Sequence, residues 1–145
     1  VLVAAAVLAL GFKVVDQDRQ IERLTASLEK QAVAASAYET LTDPSAKTLA
    51  LRSAKDGPEA QLVLASDGRG LLIANALPGL QVDETYQLWA LVGEEKISSG
   101  LLGSQPNVSL FTFRGGRPDG FAVTKEPSGG SPQPTNDPIV LGVFR

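Results

Sequence analysis

Tyr86-Gln87-Leu88-Trp89-Ala90-Leu91-Val92 is a run without a charge, glycine or proline. On a strand, successive side chains point to opposite faces, so Tyr86, Leu88, Ala90 and Val92 share one face and Gln87, Trp89 and Leu91 the other. Both faces are largely apolar, which predicts a strand inside a sheet with a neighbour on each edge. Trp89 is the only tryptophan. It reads as a core anchor, with stacking on a ligand as the other reading. Burying so large an aromatic contributes on the order of 3 kcal/mol, a sizeable share of a small domain's stability.

Outward from this run the texture is the same. Residues 47–54, 60–66, 70–77, 85–92, 96–102, 108–113, 120–125 and 139–144 are short and rich in strand formers. Turn-forming clusters separate them: Asp56-Gly57-Pro58, Asp67-Gly68, Leu77-Pro78-Gly79, Gly115-Gly116 and the stretch from Pro127 to Pro138. Such spacing predicts a mainly β fold, an antiparallel β-sandwich of seven or eight strands, with a barrel as the related solution. No helix-length periodic segment interrupts the strands, which disfavours a parallel sheet with crossover helices.

The N-terminal third reads differently. Residues 1–12 (VLVAAAVLALGF) are an uncharged apolar run, ended by Lys13, Asp16, Asp18 and Arg19. At about 1.5 Å per residue the run covers roughly 18 Å, short of the ~30 Å hydrocarbon core. The chain contains no Met, so the sequence is expected to start inside a longer protein and the run to be the C-terminal part of a transmembrane helix. A signal-peptide core and a buried helix are the other readings. Val14, Ile21, Leu28 and Ala35 then recur with a heptad period, partnered by Leu10, Gln17, Leu24, Gln31 and Tyr38. Charges alternate in sign between them, as on a solvated helix. The pattern fits a stalk helix continuing the span, and also a homodimeric coiled coil through the stalk. Pro44 disfavours helix at Asp43 and ends the segment. The expected organisation, after a long N-terminal helix, is therefore residues 1–12 membrane, 13–46 juxtamembrane stalk and linker, and 47–145 the β domain.

Composition removes several function classes. With no His and no Cys the chain has no Ser-His or Cys-His pair, no thiolate nucleophile, no disulfide and none of the usual zinc sites. Thirteen basic and sixteen acidic residues give a net charge of -3, spread without the Lys/Arg clustering that nucleic acid requires. Glu94-Glu95 and Asp83-Glu84 sit in turns and read as solvated. Glu126 has neither a second carboxylate nor an activated nucleophile beside it in sequence. The Gly115-Gly116 and Gly129-Gly130 stretches lack the Lys-Ser/Thr ending of a phosphate loop. The expectation is a protein that is not an enzyme, with no cofactor and no metal.

Two blocks carry a resemblance. Tyr86, Leu88 and Trp89, followed by a turn at Gly93 and by Gly100, form the first. The second runs Val123-Thr124-Lys125-Glu126-Pro127-Ser128-Gly129-Gly130-Ser131-Pro132-Gln133-Pro134-Thr135. Together they resemble the extracytoplasmic domain of the anti-sigma-K factor (RskA-type) family, with Lys125 as an ordinary departure from its pattern. The resemblance implies a single-pass protein of the bacterial plasma membrane with residues 13–145 outside the cytoplasm. It implies as partners an extracytoplasmic-function sigma factor, held by a cytoplasmic domain absent from this sequence, and the proteases that release it. The motif residues Tyr86, Leu88, Trp89, Gly100, Val123, Thr124, Glu126, Pro127, Gly129, Gly130, Ser131, Pro132, Pro134 and Thr135 would be structural or regulatory.

A physical role for the second block follows from its residue types. Pro127 lacks a ladder donor and should end a strand, the glycines permit positive φ, and Ser131, Pro132 and Pro134 should hold the loop extended. Thr124 and Glu126 share a strand face by the period of two, so Glu126 is expected to accept hydrogen bonds from backbone donors of the Gly-Gly loop. Two rival functions stay open at this point: a periplasmic or cell-surface ligand-binding β-sandwich unrelated to transcription, and a secreted hydrolase using paired carboxylates.

Overall fold

The computed structural model describes residues 2–54 and 56–145, and side chains from residue 19 onward, those of residues 20 and 55 excepted. The chain divides into two compact units, Val1–Ser36 and Ala37–Arg145. A helix, α1 (Leu2–Thr42), forms the first unit, and its last turn belongs to the second. From residue 21 to 35 its side chains are exposed; Ile21, Leu24 and Leu28, all on the heptad positions, are 61–65% exposed. The side chains of the apolar run at 1–12 lie outside the described residues. No helix among the described residues is long and apolar enough to cross a membrane. As Pro44 predicts, the helix stops at Thr42. The Asp43 carboxylate then accepts the Ser45 N–H at 2.7 Å and, through its other oxygen, the Ser66 N–H and hydroxyl at 2.9 and 3.0 Å.

The second unit carries eight strands: β1 (Lys47–Arg52), β2 (Glu59–Leu64), β3 (Arg69–Ile73), β4 (Glu84–Val92), β5 (Glu95–Gly103), β6 (Val108–Thr112), β7 (Gly120–Pro127) and β8 (Val140–Val143). Every expected strand is present, with boundaries shifted by a few residues. The largest shift is at β3, which stops at Ile73 because Ala74 turns away: its N–H donates to Asn107 O and its carbonyl accepts from Leu77 N–H. All pairings are antiparallel, in one sheet of order β5-β4-β7-β8-β1-β2-β3-β6. The strands thus form one continuous sheet whose edges, β5 and β6, come close to one another, giving a nearly closed barrel. As the apolar faces of its sequence predict, β4 is interior, paired with β5 and β7.

Closure puts one face of each strand inside. Leu49, Leu51, Leu62, Leu72, Tyr86, Leu88, Ala90, Phe121, Val123 and Val140 make up most of this interior. Phe121 is its hub, with Phe111, Phe113 and Phe144 meeting its ring edge-on at centroid distances of 5.5, 6.1 and 6.3 Å. Such edge contacts add to area burial by aligning ring edges with π faces. Tyr86 fits the interior because its hydroxyl leaves it, donating to Pro78 O at 2.9 Å.

Candidate functional site

The outward face of β4 and β7 is where the motif residues converge. Antiparallel register sets Gln87 opposite Thr124, Trp89 opposite Ala122 and Thr85 opposite Glu126. By alternation these side chains face away from the barrel interior, yet Gln87, Trp89, Ala122, Thr124 and Glu126 are all buried. They are covered by the segment 128–139, which leaves the end of β7 and returns to β8. Trp89 is fully buried, as an anchor should be, but it lies beneath this strap and outside the interior cluster. The barrel core is built without its tryptophan.

Polar contacts run in a chain from the sheet to the strap. Trp89 Nε1 donates to Thr124 Oγ1 at 2.8 Å, and the Thr124 hydroxyl donates to Glu126 Oε1 at 2.6 Å. The same carboxylate oxygen accepts Thr135 N–H at 3.0 Å, while the Thr135 hydroxyl donates to Glu126 Oε2. Asn136 extends the grip, its amide donating to Lys125 O at 2.6 Å and to Thr135 Oγ1 at 3.1 Å. Burial pushes the Glu126 carboxyl up, but the hydroxyls of Thr124, Thr135 and Ser131 and the Thr135 N–H outweigh it and hold the carboxyl below the ordinary range. Glu126 is an ionised clamp with its oxygens taken up by donors. Its backbone donor is Thr135, at the far end of the loop that holds Gly129 and Gly130. Gly130 N–H closes a turn onto Pro127 O at 2.7 Å.

A second clamp holds the strap four residues earlier, at Ser131. The Gln87 amide pairs with the backbone of Ser131 in both directions, donating to Ser131 O at 3.0 Å and accepting Ser131 N–H at 2.9 Å, and also donates to Ser98 Oγ at 2.8 Å. Gly130 has to be a glycine: its φ is +75°, and a Cβ would stand 2.6 Å from Leu101 Cδ2 and 3.0 Å from Gln87 Oε1. Gly129 has open space around it. Pro127 is the last residue of β7, as its missing donor requires. Pro134 and Thr135 line, with Trp89, an open cavity of about 440 Å³ between the strap and the sheet. Pro132 lies on another open depression beside Glu94–Ser98.

The remaining motif residues have structural positions. Leu88 and Val123 point into the barrel core, and Gly100, at φ +143°, sits where the β4–β5 register slips between Leu88 and Trp89. The reading of the residues missed Gln87 and Asn136 as clamp members. Gln87 had a signal: a lone amide in the middle of an apolar strand, two residues from the tryptophan. Asn136 had none, since it lies in a loop where asparagine is ordinary. Among the described residues no group of three or more acidic side chains is placed to hold a metal ion.

Fold and clamp define the class: a mainly antiparallel β domain that follows a helix and is covered on its outer face by the segment between β7 and β8. The chain belongs to the family of the anti-sigma-K factor RskA C-terminal domain, whose profile matches residues 1–139. It is also 28% identical over 108 residues to an uncharacterized protein in the phr 5' region of Streptomyces griseus, an alignment covering 73% of this chain and 45% of that protein. The chain therefore spans less than half the length of that relative. No solved structure matches it. The family takes its name from a regulator, the anti-sigma-K factor RskA.

Proposed function

We propose that this chain is the extracytoplasmic regulatory part of a single-pass membrane anti-sigma factor. Residues 1–12 form the C-terminal part of the transmembrane helix, 13–46 the juxtamembrane stalk and linker, and 47–145 the outer domain. A cytoplasmic domain elsewhere in the protein holds an extracytoplasmic-function sigma factor away from RNA polymerase. The outer domain restrains proteolysis of the stalk and membrane segment until a signal releases it, so the protein acts as a negative regulator of transcription. The observation that carries this reading is the extent of the family match. It runs as one stretch from the apolar run through the exposed helix into the β unit, the arrangement of a tether, a spacer and an outer domain.

The exposed helix supports the mechanism. Residues 21–35 have no covering layer, and an accessible segment beside a stable domain is where a protease can act. The test uses the full-length gene product with a C-terminal epitope, in bacteria carrying a sigma-dependent reporter. Protease added to spheroplasts should remove the epitope, the protein should fractionate with membranes, and deletion of residues 47–145 should change reporter output. Recovery as an unprocessed soluble periplasmic protein, with the reporter unmoved, overturns the reading.

A further inference from the structure

A different part of the domain holds an open cavity away from the strap. At one end of the barrel a cavity of about 530 Å³ opens between the β2–β3 turn and the β6–β7 loop. Leu64, Phe113 and Phe144 form its apolar wall, and all three belong to or pack on the interior cluster. The edge contacts of Phe113 and Phe144 with Phe121 anchor that wall.

The rim is cationic. Lys47, Arg114 and Arg117 line it and are exposed, and none of them forms a salt bridge among the described residues. The other cations of the described domain that form none are Lys96 and Arg145, so most of the unneutralised positive charge of this unit gathers at one opening. One acid, Asp67, stands on the rim, and its carboxylate is already taken: it accepts Arg69 N–H at 3.0 Å and pairs with Arg69 Nε at 2.7 Å. In a chain of net charge -3, this local reversal of sign attracts anions.

The frame is built before any ligand arrives. Gly68, at φ +87°, presses against the Phe113 carbonyl with no room for a Cβ, and accepts Phe113 N–H on its own carbonyl at 2.8 Å. Phe144 N–H donates to Asp119 O at 2.7 Å. Walls held in this way cost little ordering on binding.

We propose that this mouth binds a small amphiphilic anion, its hydrocarbon or aromatic body against Leu64, Phe113 and Phe144 and its carboxylate or phosphate head among Lys47, Arg114 and Arg117. Neither half of the site suffices alone. Exposed cations bind a bare anion weakly because water screens them, whereas an apolar wall beside them adds the free energy of burying the body. The cavity also includes Ser45 and Ser66, the residues whose N–H groups hold Asp43 at the end of the helix. An occupant therefore touches residues that hold Asp43. Binding is a property of residues 45–144 and does not depend on a role in transcription.

Titration calorimetry of the 145-residue chain at low ionic strength, below micelle-forming concentrations, tests this with decanoate, decyl phosphate, acetate and decyltrimethylammonium. Decanoate, decyl phosphate or both should saturate one site, the tighter one identifying the head group, while acetate and decyltrimethylammonium give no saturation. The double variant Arg114→Gln/Arg117→Gln should weaken the anion by about tenfold or more, the scale of losing hydrogen bonds to a charged group. Lys96→Gln, outside the cavity, should leave affinity unchanged. Both substitutions are on exposed side chains, and an unchanged urea midpoint shows that the fold persists. Failure of both anionic amphiphiles to bind, equal binding of the cationic one, or full affinity in the double variant overturns the proposal.

Discussion

Replacing Glu126 by Gln should open the strap at its far end while sparing the barrel. The carboxylate takes donors from the Thr124 hydroxyl, the Thr135 N–H and the Thr135 hydroxyl. An amide keeps one acceptor oxygen but removes the charge, and puts N–H donors where the Thr135 hydroxyl now donates. Hydrogen bonds to a charged group contribute about 1.5–3 kcal/mol against about 0.5–1.5 for neutral ones, so losing charge assistance over this set costs about 2 kcal/mol. For a unit of this size that lowers Tm by roughly 8 °C. Glu126→Ala removes every acceptor and leaves buried donors unpaired. Its cost is about 3–5 kcal/mol, a large part of the ~5–15 kcal/mol that holds such a domain together.

Acid gives an independent reading of the same clamp. The Glu126 carboxyl is held below its ordinary range, so its ionised form is bound more firmly in the folded state than in the unfolded chain. The associated stability is fully present above the unfolded value of about 4.3 and is lost as pH falls through the lower folded value. Wild type should therefore lose stability below about pH 4.3, and the Gln variant should lack that portion of the loss. The assay is urea unfolding from pH 3 to pH 7, followed by fluorescence of Trp89, which lies under the strap and is bonded to the clamp through Thr124. Acrylamide should quench Trp89 more readily in the Ala variant. Gln and Ala variants within ~0.5 kcal/mol of wild type, with an unchanged acid limb, would refute the reasoning, since exposed substitutions typically stay within that band.

Other positions make separate demands. Gly130→Ala should cost about 1–2 kcal/mol for the left-handed conformation alone, more with the Leu101 contact, and a urea midpoint equal to wild type would show the turn relaxing freely. Thr135→Ala and Glu126→Gln should be non-additive by at least ~0.5 kcal/mol in a double-mutant cycle, because they share one bond; strict additivity would mean that the hydroxyl does not engage the carboxylate. Leu62→Ala, at a fully buried core position, should lose about 2–5 kcal/mol with the Trp89 emission of the native state unchanged, because the indole is outside that cluster. Asp43→Asn should speed hydrogen exchange at the Ser66 amide, its acceptor being weakened, while leaving exchange in β4 and β7 as it was.

Local chemistry made most of the fold legible. All eight strands follow from strand-forming runs between turn clusters, and the end of α1 follows from Pro44. The closure of these strands into one sheet is a matter of long-range pairing, such as β1 with β8 and β3 with β6, which no local period encodes. A sandwich and a barrel present the same alternation to a reader of residues. Trp89 illustrates a related gap. Its face of β4 was readable as apolar, but which apolar face meets the interior and which meets a strap depends on where residues 128–139 return. Glu126 was readable to the level of an acceptor for loop backbone donors, sharing a face with Thr124. The identity of its donor was not, because the distance along the chain to Thr135 is bridged by prolines whose path is set only by the folded sheet.

The strap explains why this barrel carries a motif so rich in glycine and proline. The interior strands β4 and β7 have their inner faces covered by barrel closure, and their outer faces, Trp89 and Ala122 above all, still need a cover. A covering segment without helix or strand must satisfy its own backbone groups. Gln87 serves the two of Ser131, Glu126 serves Thr135 N–H, and Val123 O takes Ile139 N–H at 2.8 Å. Prolines lower the number of such groups and the entropy lost on ordering. The Glu126 to Thr135 block is on this account a clamp that completes the fold, with Glu126 and Gln87 engaging its backbone. Lys47, Arg114 and Arg117, by contrast, are exposed and form no salt bridge among the described residues, so their charge faces solvent.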